Sequence, residues 1–194
     1  LATIVKAAHA IAESVEPQRL LERLVQIAIE NAGARRGLLI EDNDGVLCVV
    51  AEGSSEGAPV TLLHGASLHD GPARCSRAVI DYVWRTRASL VLDDASADER
   101  FAHDAYVAAT RLKSVLCMPV VHQGEVSALL YLENDLARQA FDARRIELIQ
   151  VLMAQGAISL ANARLAQRMR QAVSARERAE DTLRASEAGT AAVT

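Results

Sequence analysis

The residues best equipped for chemistry lie close together in the segment Phe101-Ala-His103-Asp104-Ala-Tyr106. On a helix, His103 and Tyr106 are three residues apart and would face the same way, so with Asp104 they could form a polar binding surface. The alternative is that Phe101 and Tyr106 fill the core and His103 is exposed, because aromatic side chains mostly pack in cores. The segment alone leaves both interpretations open.

The other reactive groups are scattered. The three cysteines, an odd number with wide spacing, predict free thiols in a reducing cytoplasm rather than a disulfide framework. The histidines lack the spacing of metal ligands. No Gly-x-Ser-x-Gly, phosphate loop or kinase signature occurs, so we expect neither a metal nor a catalytic centre in this chain. The residues concerned are Cys48, Cys75, Cys117, His9, His64, His69, His103 and His122.

Composition narrows the class of protein. The chain has 194 residues, enough for one domain and an extension, and 51% of them are apolar. A net charge of −4 gives no electrostatic reason to expect nucleic acid. No apolar stretch approaches the length of a membrane span, and no signal peptide opens the chain. We therefore expect a cytoplasmic protein, and the first residue, Leu1, suggests a piece of a longer one.

Two apolar runs, 115–121 and 126–132, flank His122-Gln123-Gly124 and predict an antiparallel hairpin. In the second run, Leu129 and Tyr131 make one face apolar, and Leu130 and Leu132 do the same for the other. A strand that is apolar on both faces has to be covered on both. It should therefore lie in the middle of a sheet, with helices on one side and other structure, or a ligand, on the other.

The remaining pattern indicates alternating helices and strands. Helical spacing recurs at 1–15, 17–31, 74–86 and 142–187, with one or two short helices in 97–110. Strands are predicted at 36–42, 46–52, 60–63 and 89–92, and Asn43-Asp44-Gly45 is a hairpin turn. We divide the chain into a domain over 1–164, a coiled-coil-like helix over 165–187 and a disordered tail over 188–194.

The long C-terminal helix changes character near Asn162. Beyond it, apolar residues alternate at spacings of four and three, as in a heptad seam, among many charges. Such a polar helix needs a partner, and the apolar stripe of the helix over 1–15 needs one too. We predict a parallel homodimer with a coiled-coil interface. Its residues are Ile4, Ile11, Leu165, Met169, Ala172 and Leu183.

Several motifs together resemble the GAF domains of large bacterial sensor histidine kinases, which belong to two-component systems. The match extends over residues 14–165 and is specific in combination. Its elements are Ser114-Val115-Leu116-Cys117 with Pro119, Gln123-Gly124, Leu130-Tyr131-Leu132-Glu133-Asn134, Phe141, and Gln155 with Ala157-Ile158-Ser159 and Asn162-Ala163. Ser127 and Ala128 depart from the pattern, standing where a β-branched residue and a glycine are usual. Gly156 also departs, since alanine is usual there.

The resemblance implies an α+β fold of the GAF type. An antiparallel sheet of five or six strands would have the first, second and last helices on one face. Residues 53–111 would cover a pocket for an unknown small molecule on the other. The implied ligand-binding residues are Tyr82, Phe101, His103, Asp104, Tyr106, Ser114, Cys117, Leu129 and Tyr131. No cofactor is implied, and the kinase output domain would lie outside this chain.

Two other functions remain open within the same resemblance. Free methionine sulfoxide reductases are GAF domains that use cysteines, although their cysteine and histidine motifs do not match around Cys75 or Cys117. A GAF domain can also fill its pocket with its own side chains and serve only to dimerise. The motifs of bilin-binding and cyclic-nucleotide-binding GAF domains are absent, since Asp135 follows Asn134 where the latter have a lysine.

Overall fold

A computed structural model describes residues 16–68 and 73–191. The helix predicted over 1–15, with Ile4 and Ile11, lies outside these residues. The helices and strands are α1 (Pro17–Ala32), β1 (Arg36–Asn43), β2 (Val46–Ser54), β3 (Thr61–Ser67), α2 (Arg77–Thr86), β4 (Leu90–Leu92), α3 (Ala105–Thr110), β5 (Ser114–His122), β6 (Glu125–Asn134) and α4 (Ala143–Ala191).

The strands form one six-stranded sheet in the order β3-β2-β1-β6-β5-β4, with every neighbouring pair antiparallel. This confirms the predicted fold class, and β1 and β6 occupy the centre. Two hairpins end in two-residue turns whose residues all have positive φ, with 53° and 85° at Asp44-Gly45 and 53° and 84° at Gln123-Gly124. Such turns match the right-handed twist of the strands they join.

Both faces of the sheet are buried, as the apolar pattern of β6 predicts. On one face Leu130 and Leu132 belong to a core with α1 and α4. On the other, Leu129 and Tyr131 have no exposed surface beneath residues 73–113. We call this segment the cover; it contains α2 and α3, and its strand β4 extends the sheet edge. Alternation along β6 therefore divides the domain into two cores.

Capping side chains set the helix starts within the cover. Ser76, which is fully buried, accepts a hydrogen bond from the Val79 amide at the start of α2. Asp104 accepts from the amides of Tyr106 and Val107 at the start of α3. Serine and aspartate are favoured there because they bind amides that lack helical partners. Of the region 97–110, only Ala105–Thr110 is α-helical, and turns closed by the Asp98 carbonyl precede it.

The last helix, α4, serves two environments. Its first half buries Ile149, Leu152 and Met153 against the helix-side core. Farther along, Leu165 is 53% exposed and Met169 is 61% exposed. The helix continues to Ala191, so the boundaries predicted at 187 and 188 fall inside it. The division of the chain at residue 164 stays a prediction, since Val151 and Ile158 are already exposed upstream of it.

One stretch of α4, within 143–176, is long and apolar enough by length and composition to cross a membrane. The expectation that no stretch approaches that length is therefore wrong. This part of α4 is rich in apolar residues because it packs one face, which includes Leu152 and Met153, into the core. Buried core helices meet the same test of length and composition.

Two glycines allow the helices to approach the sheet and each other. A Cβ at Gly37 would lie 2.7 Å from Leu132 Cδ2 and 2.8 Å from Ile29 Cγ1. A Cβ at Gly156 would lie 2.2 Å from Leu24 Cδ2. Gly37 thus brings α1 onto β1, and Gly156 brings α4 onto α1. The second contact explains why alanine is missing at this position of α4.

We predict that Gly37→Ala lowers the free energy of unfolding by about 1–3 kcal/mol, because two buried side chains must move apart. Gly156→Ala should cost less, since only Leu24 has to move and alanine gains about 1 kcal/mol of helix propensity. Urea denaturation of both variants measures the difference. An unchanged midpoint for Gly37→Ala would contradict the close approach of α1 to β1.

Candidate functional site

Three of the four predicted ligand-contacting residues of the sheet, all except Ser114, lie together beneath the cover. Cys117 on β5 and Leu129 and Tyr131 on β6 have no exposed surface. The Tyr131 hydroxyl accepts a hydrogen bond of 3.5 Å from the Ser76 amide at the start of α2. The strands and the cover are therefore in direct contact here, and a ligand that reaches these three residues has to separate them.

An aromatic pair closes the outer part of the cover. The rings of Tyr82 and Phe101 meet edge to face at a centroid distance of 5.8 Å. The Arg100 guanidinium lies 5.6 Å from the Tyr82 centroid and 5.0 Å from the Phe101 centroid. Phe101 is 3% exposed, and Tyr82 is half-buried. This stacking of two rings and a cation supplies an interaction that neutral packing lacks.

Of the other predicted site residues, Asp104 and Ser114 have structural roles and His103 is exposed to solvent. Asp104 caps α3. The Ser114 hydroxyl donates to the Ala137 carbonyl at 2.5 Å and accepts from the Ala140 amide at 3.3 Å. These bonds hold the segment between β6 and α4 in place. Ligand contact by His103, Asp104 and Ser114 stays a prediction.

A charged cluster ties the cover to the sheet. Arg36 of β1 and Glu133 of β6 are cross-strand partners, and Arg36 Nη1 lies 2.8 Å from Glu133 Oε1. The Tyr106 hydroxyl, from α3, donates to the same carboxylate oxygen at 2.9 Å. Arg36 also binds Glu52 on β2 at 2.7 Å and the Arg74 carbonyl at 2.6 Å. The Arg36 guanidinium thus connects β1 with β2, with β6 and with the cover.

Burial governs the electrostatics of this cluster. Burial raises the pKa of Glu133, although Arg36 opposes that rise by pairing with the carboxylate and Tyr106 opposes it by donating a hydrogen bond. Burial would lower the pKa of Arg36, but the adjacent Glu133 raises it, and the net shift is upward. Glu133 Oε2 is buried and has no hydrogen-bond partner among the described residues. The compensation of this carboxylate therefore depends on Arg36 and Tyr106, which both bind its other oxygen.

A cleft of about 220 Å³ opens beside the charged cluster. Arg35 and Arg36 line it together with Glu133, and Thr110 and Leu112 contribute the end of the cover. It gives a polar solute access to the junction between cover and sheet. Within residues 16–68 and 73–191, no group of three histidine, cysteine, aspartate or glutamate side chains is arranged to hold a metal ion.

Comparison with protein families decides the class. A family model described as GAF domain matches residues 16–160. The chain belongs to the GAF domain family. This GAF domain is 37% identical over 115 residues to the hybrid signal transduction histidine kinase G of Dictyostelium discoideum. The match covers 57% of this chain but spans only 3% of that relative.

Solved structures support the same fold at low sequence identity. The GAF domain of an Acinetobacter phosphoenolpyruvate-protein phosphotransferase matches with a TM-score of 0.64 and 19% identity, over 85% of this chain and 94% of that one. Residues 122 to 287 of a methyl-accepting chemotaxis protein match with a TM-score of 0.60 and 20% identity, over 82% and 98% of the two chains. These similarities establish the fold alone.

The sequence pattern did not indicate the charged cluster or a second ion pair, between Glu41 of β1 and Arg164 of α4. Arg164 Nη2 lies 2.9 and 2.8 Å from the two Glu41 carboxylate oxygens. The sequence did, however, contain a sign of the charged cluster, in the pattern of β6. Glu133 follows Leu129 and Tyr131 on one face by alternation, and a carboxylate on a buried face requires a cationic partner. Neither partner could be named, because each comes from a distant segment.

We predict that Arg36→Met destabilises the domain by about 3–5 kcal/mol at pH 7, because Glu133 stays buried without its cation. The folded-state pKa of Glu133 is raised, so the folded state holds the proton more tightly, and stability falls as pH rises through that pKa. Losing Arg36 enhances this effect. The cost should therefore be smallest below about pH 4, where Glu133 is protonated in both states.

Chemical denaturation of Arg36→Met between pH 4 and pH 8 tests this. Adding Glu133→Gln in the same chain should restore most of the stability and flatten the pH dependence. Arg74→Met removes a more exposed member of the cluster and should cost less than about 1 kcal/mol. If Arg36→Met costs as much at pH 4 as at pH 7, the buried carboxylate is not the source of the loss.

The thiols should be slow to react in the folded protein. Cys48, Cys75 and Cys117 are unpaired and buried. Burial raises the pKa of Cys75 to about 12 and that of Cys117 well above its usual range. A disulfide reagent at pH 8 should therefore titrate three thiols only after denaturation, since the thiolate is the reactive form. Rapid labelling of Cys75 or Cys117 in the folded state would contradict this assignment.

Proposed function

We propose that this GAF domain is the cytoplasmic sensory module of a multidomain signalling protein, of the sensor histidine kinase class. It binds a small molecule at the junction of cover and sheet and transmits the binding event through α4. Family membership and the histidine kinase relative support the signalling role. The catalytic domain would lie in another part of the protein, since this chain spans a small fraction of that relative.

The observation that carries ligand binding is the way in which the cover is attached. Two of its polar links to the sheet meet at Arg36, through Tyr106 and the Arg74 carbonyl, beside a cleft of about 220 Å³. A polar ligand that competes for Arg36 or Glu133 would loosen these links. It would then favour an arrangement in which the predicted contacts Cys117 and Tyr131 become accessible. A ligand shifts an equilibrium only through such preference for one state.

Native mass spectrometry of the protein purified from its own host tests ligand binding. We expect an additional mass that disappears when the chain is denatured and refolded. Returning the released compound should change the rate of amide exchange in the cover more than in α1, because the ligand alters the links that attach the cover to the sheet. Absence of both the mass and the change in exchange, with host metabolite extract added, would favour a domain without a ligand.

Dimerisation without a ligand is the second candidate, and the packing of the cover favours it. Cys117, Leu129 and Tyr131 already fill the space beneath the cover with their own side chains. In that case, the domain would serve to align two copies of α4. The reductase alternative is disfavoured, because burial raises the pKa of Cys75 and Cys117 and keeps the thiols protonated.

The exposed side of α4 supports a homodimer in either case. Val151, Ile158 and Leu165 follow one another at intervals of seven residues, and they are 50%, 45% and 53% exposed. Ala172 continues the series, and Met169 stands between the last two. Apolar residues at heptad spacing form the contact stripe of paired helices. The stripe thus extends upstream of the residues predicted from sequence, along the domain itself.

We predict that Leu165→Asp with Met169→Asp shifts the protein toward monomer without unfolding it, because both side chains are exposed and apolar. Gln167→Asp with Gln171→Asp is the matched control. It adds the same charge at the same spacing on the side of the helix away from the stripe, and should leave the assembly unchanged. Sedimentation velocity distinguishes the outcomes, and a wild-type protein that stays monomeric at high concentration would contradict the homodimer.

A further inference from the structure

We propose that this domain has a second ligand site, for a small, uncharged and mostly apolar molecule such as a short-chain alcohol or ketone. The site is a cavity of about 60 Å³ between the sheet and α4, on the opposite face from the cover. We call it the sheet–helix cavity. It is independent of the cleft beside Arg36 and shares no lining residue with it.

Small side chains create this cavity. Ala128 of β6 and Ala157 and Ala161 of α4 line it, where larger residues would fill the space between sheet and helix. A β-bulge shapes the sheet at this position: Val120 pairs with Ala128, whereas Val121 pairs with Val126. Ser127 is the additional residue of that bulge. The departures at 127 and 128 from the usual pattern of such domains therefore both fall at the cavity.

The wall and the mouth of the cavity select for an uncharged molecule. Leu24, Leu39 and Met153 make the wall apolar. At the mouth, Glu41 and Arg164 contact each other through both carboxylate oxygens, so their charges are mutually satisfied. An ionic ligand would have to compete with that pair and lose its own hydration in an apolar space, which is costly.

Polar groups at the mouth can still orient a hydroxyl or carbonyl. The Ser127 hydroxyl donates to the Val120 carbonyl at 3.0 Å, which leaves its oxygen able to accept a hydrogen bond. His122 also lines the cavity. A water-sized group needs about 10–15 Å³ of such space, so the cavity accepts roughly four to six heavy atoms.

The position of the cavity gives binding a consequence, provided that α4 is the output helix of the proposed function. Met153, Ala157 and Ala161 belong to α4, and Leu24 belongs to the helix that packs against it. A molecule between them favours one packing of α4 on the sheet over another. Binding here would therefore act on the output helix by direct contact.

Methyl NMR with 1-butanol as the probe tests this site in the 194-residue protein. The chain has three methionines, so methyl-labelled methionine gives three signals. Met153 lines the cavity, Met118 is buried elsewhere in the same core, and Met169 is exposed on α4. We expect 1-butanol to shift the Met153 signal to saturation, while Met169 shows only the weak linear drift of a solvent effect.

Two variants fill the cavity from different elements. Ala161→Leu acts from α4 and Ala128→Val from β6, and each should weaken 1-butanol binding at least tenfold. Ala154→Leu, on an exposed position of the same helix, is the matched control and should bind as wild type. If one filled variant does not fold, the other decides.

Butyrate, which has the same chain length and a negative charge, tests the class of ligand. It should leave Met153 unshifted at concentrations that saturate with 1-butanol. Tighter binding of butyrate would overturn the assignment to uncharged molecules. Parallel linear shifts of all three methionines, or saturable binding undiminished in both filled variants, would overturn the site itself. Neither result bears on a ligand beneath the cover, which is detected by mass.

Discussion

The buried ion pair between Arg36 and Glu133 constrains the rest of this domain. A carboxylate taken out of water costs several kcal/mol unless its charge is compensated and its oxygens are hydrogen-bonded. Arg36 supplies the charge from the neighbouring strand, and Tyr106 supplies a hydrogen bond from the cover. Arg36 is itself held by Glu52 and the Arg74 carbonyl. The cover can therefore occupy only the positions that keep these groups in reach.

The same strand places the other motif residues in roles that hold the fold. Along β6, Leu130 and Leu132 enter the core with α1 and α4, whereas Tyr131 enters the core beneath the cover. Asn134 then accepts hydrogen bonds from two amides of the following turn and donates to the Gly33 carbonyl after α1. The segment that carries the family resemblance therefore joins both cores and the helix junction.

The fold followed from the sequence because its signals are local. The alternation of β6, the turn at Asp44-Gly45 and the helical spacing of α1 each depend on neighbouring residues, so their elements were predicted with ends displaced by a few residues. The candidate site followed only in part. Beneath the cover, the sequence indicated Leu129 and Tyr131 but missed Arg36, whose partners come from four separate segments.

Long-range pairs and voids leave little trace in local pattern. Glu41 and Arg164 are 123 residues apart, and each alone is an ordinary charged residue near the end of a strand or on a helix. The sheet–helix cavity is still harder to predict from sequence, because it arises where small side chains leave space unfilled. The departures at Ser127 and Ala128 were visible in the sequence, but only the register of β5 and β6 places them beside α4.

The two faces of the sheet also differ in their capacity for change. Beneath the cover, Tyr131, Leu129 and Cys117 are packed without exposed surface, and a close-packed core resists gradual deformation. On the helix side, Leu24 and Met153 border a cavity of about 60 Å³. If a ligand beneath the cover shifted β6, this space would allow α4 to move with it. An occupied cavity would remove that freedom, so ligands on the two faces would be coupled through the packing of one helix.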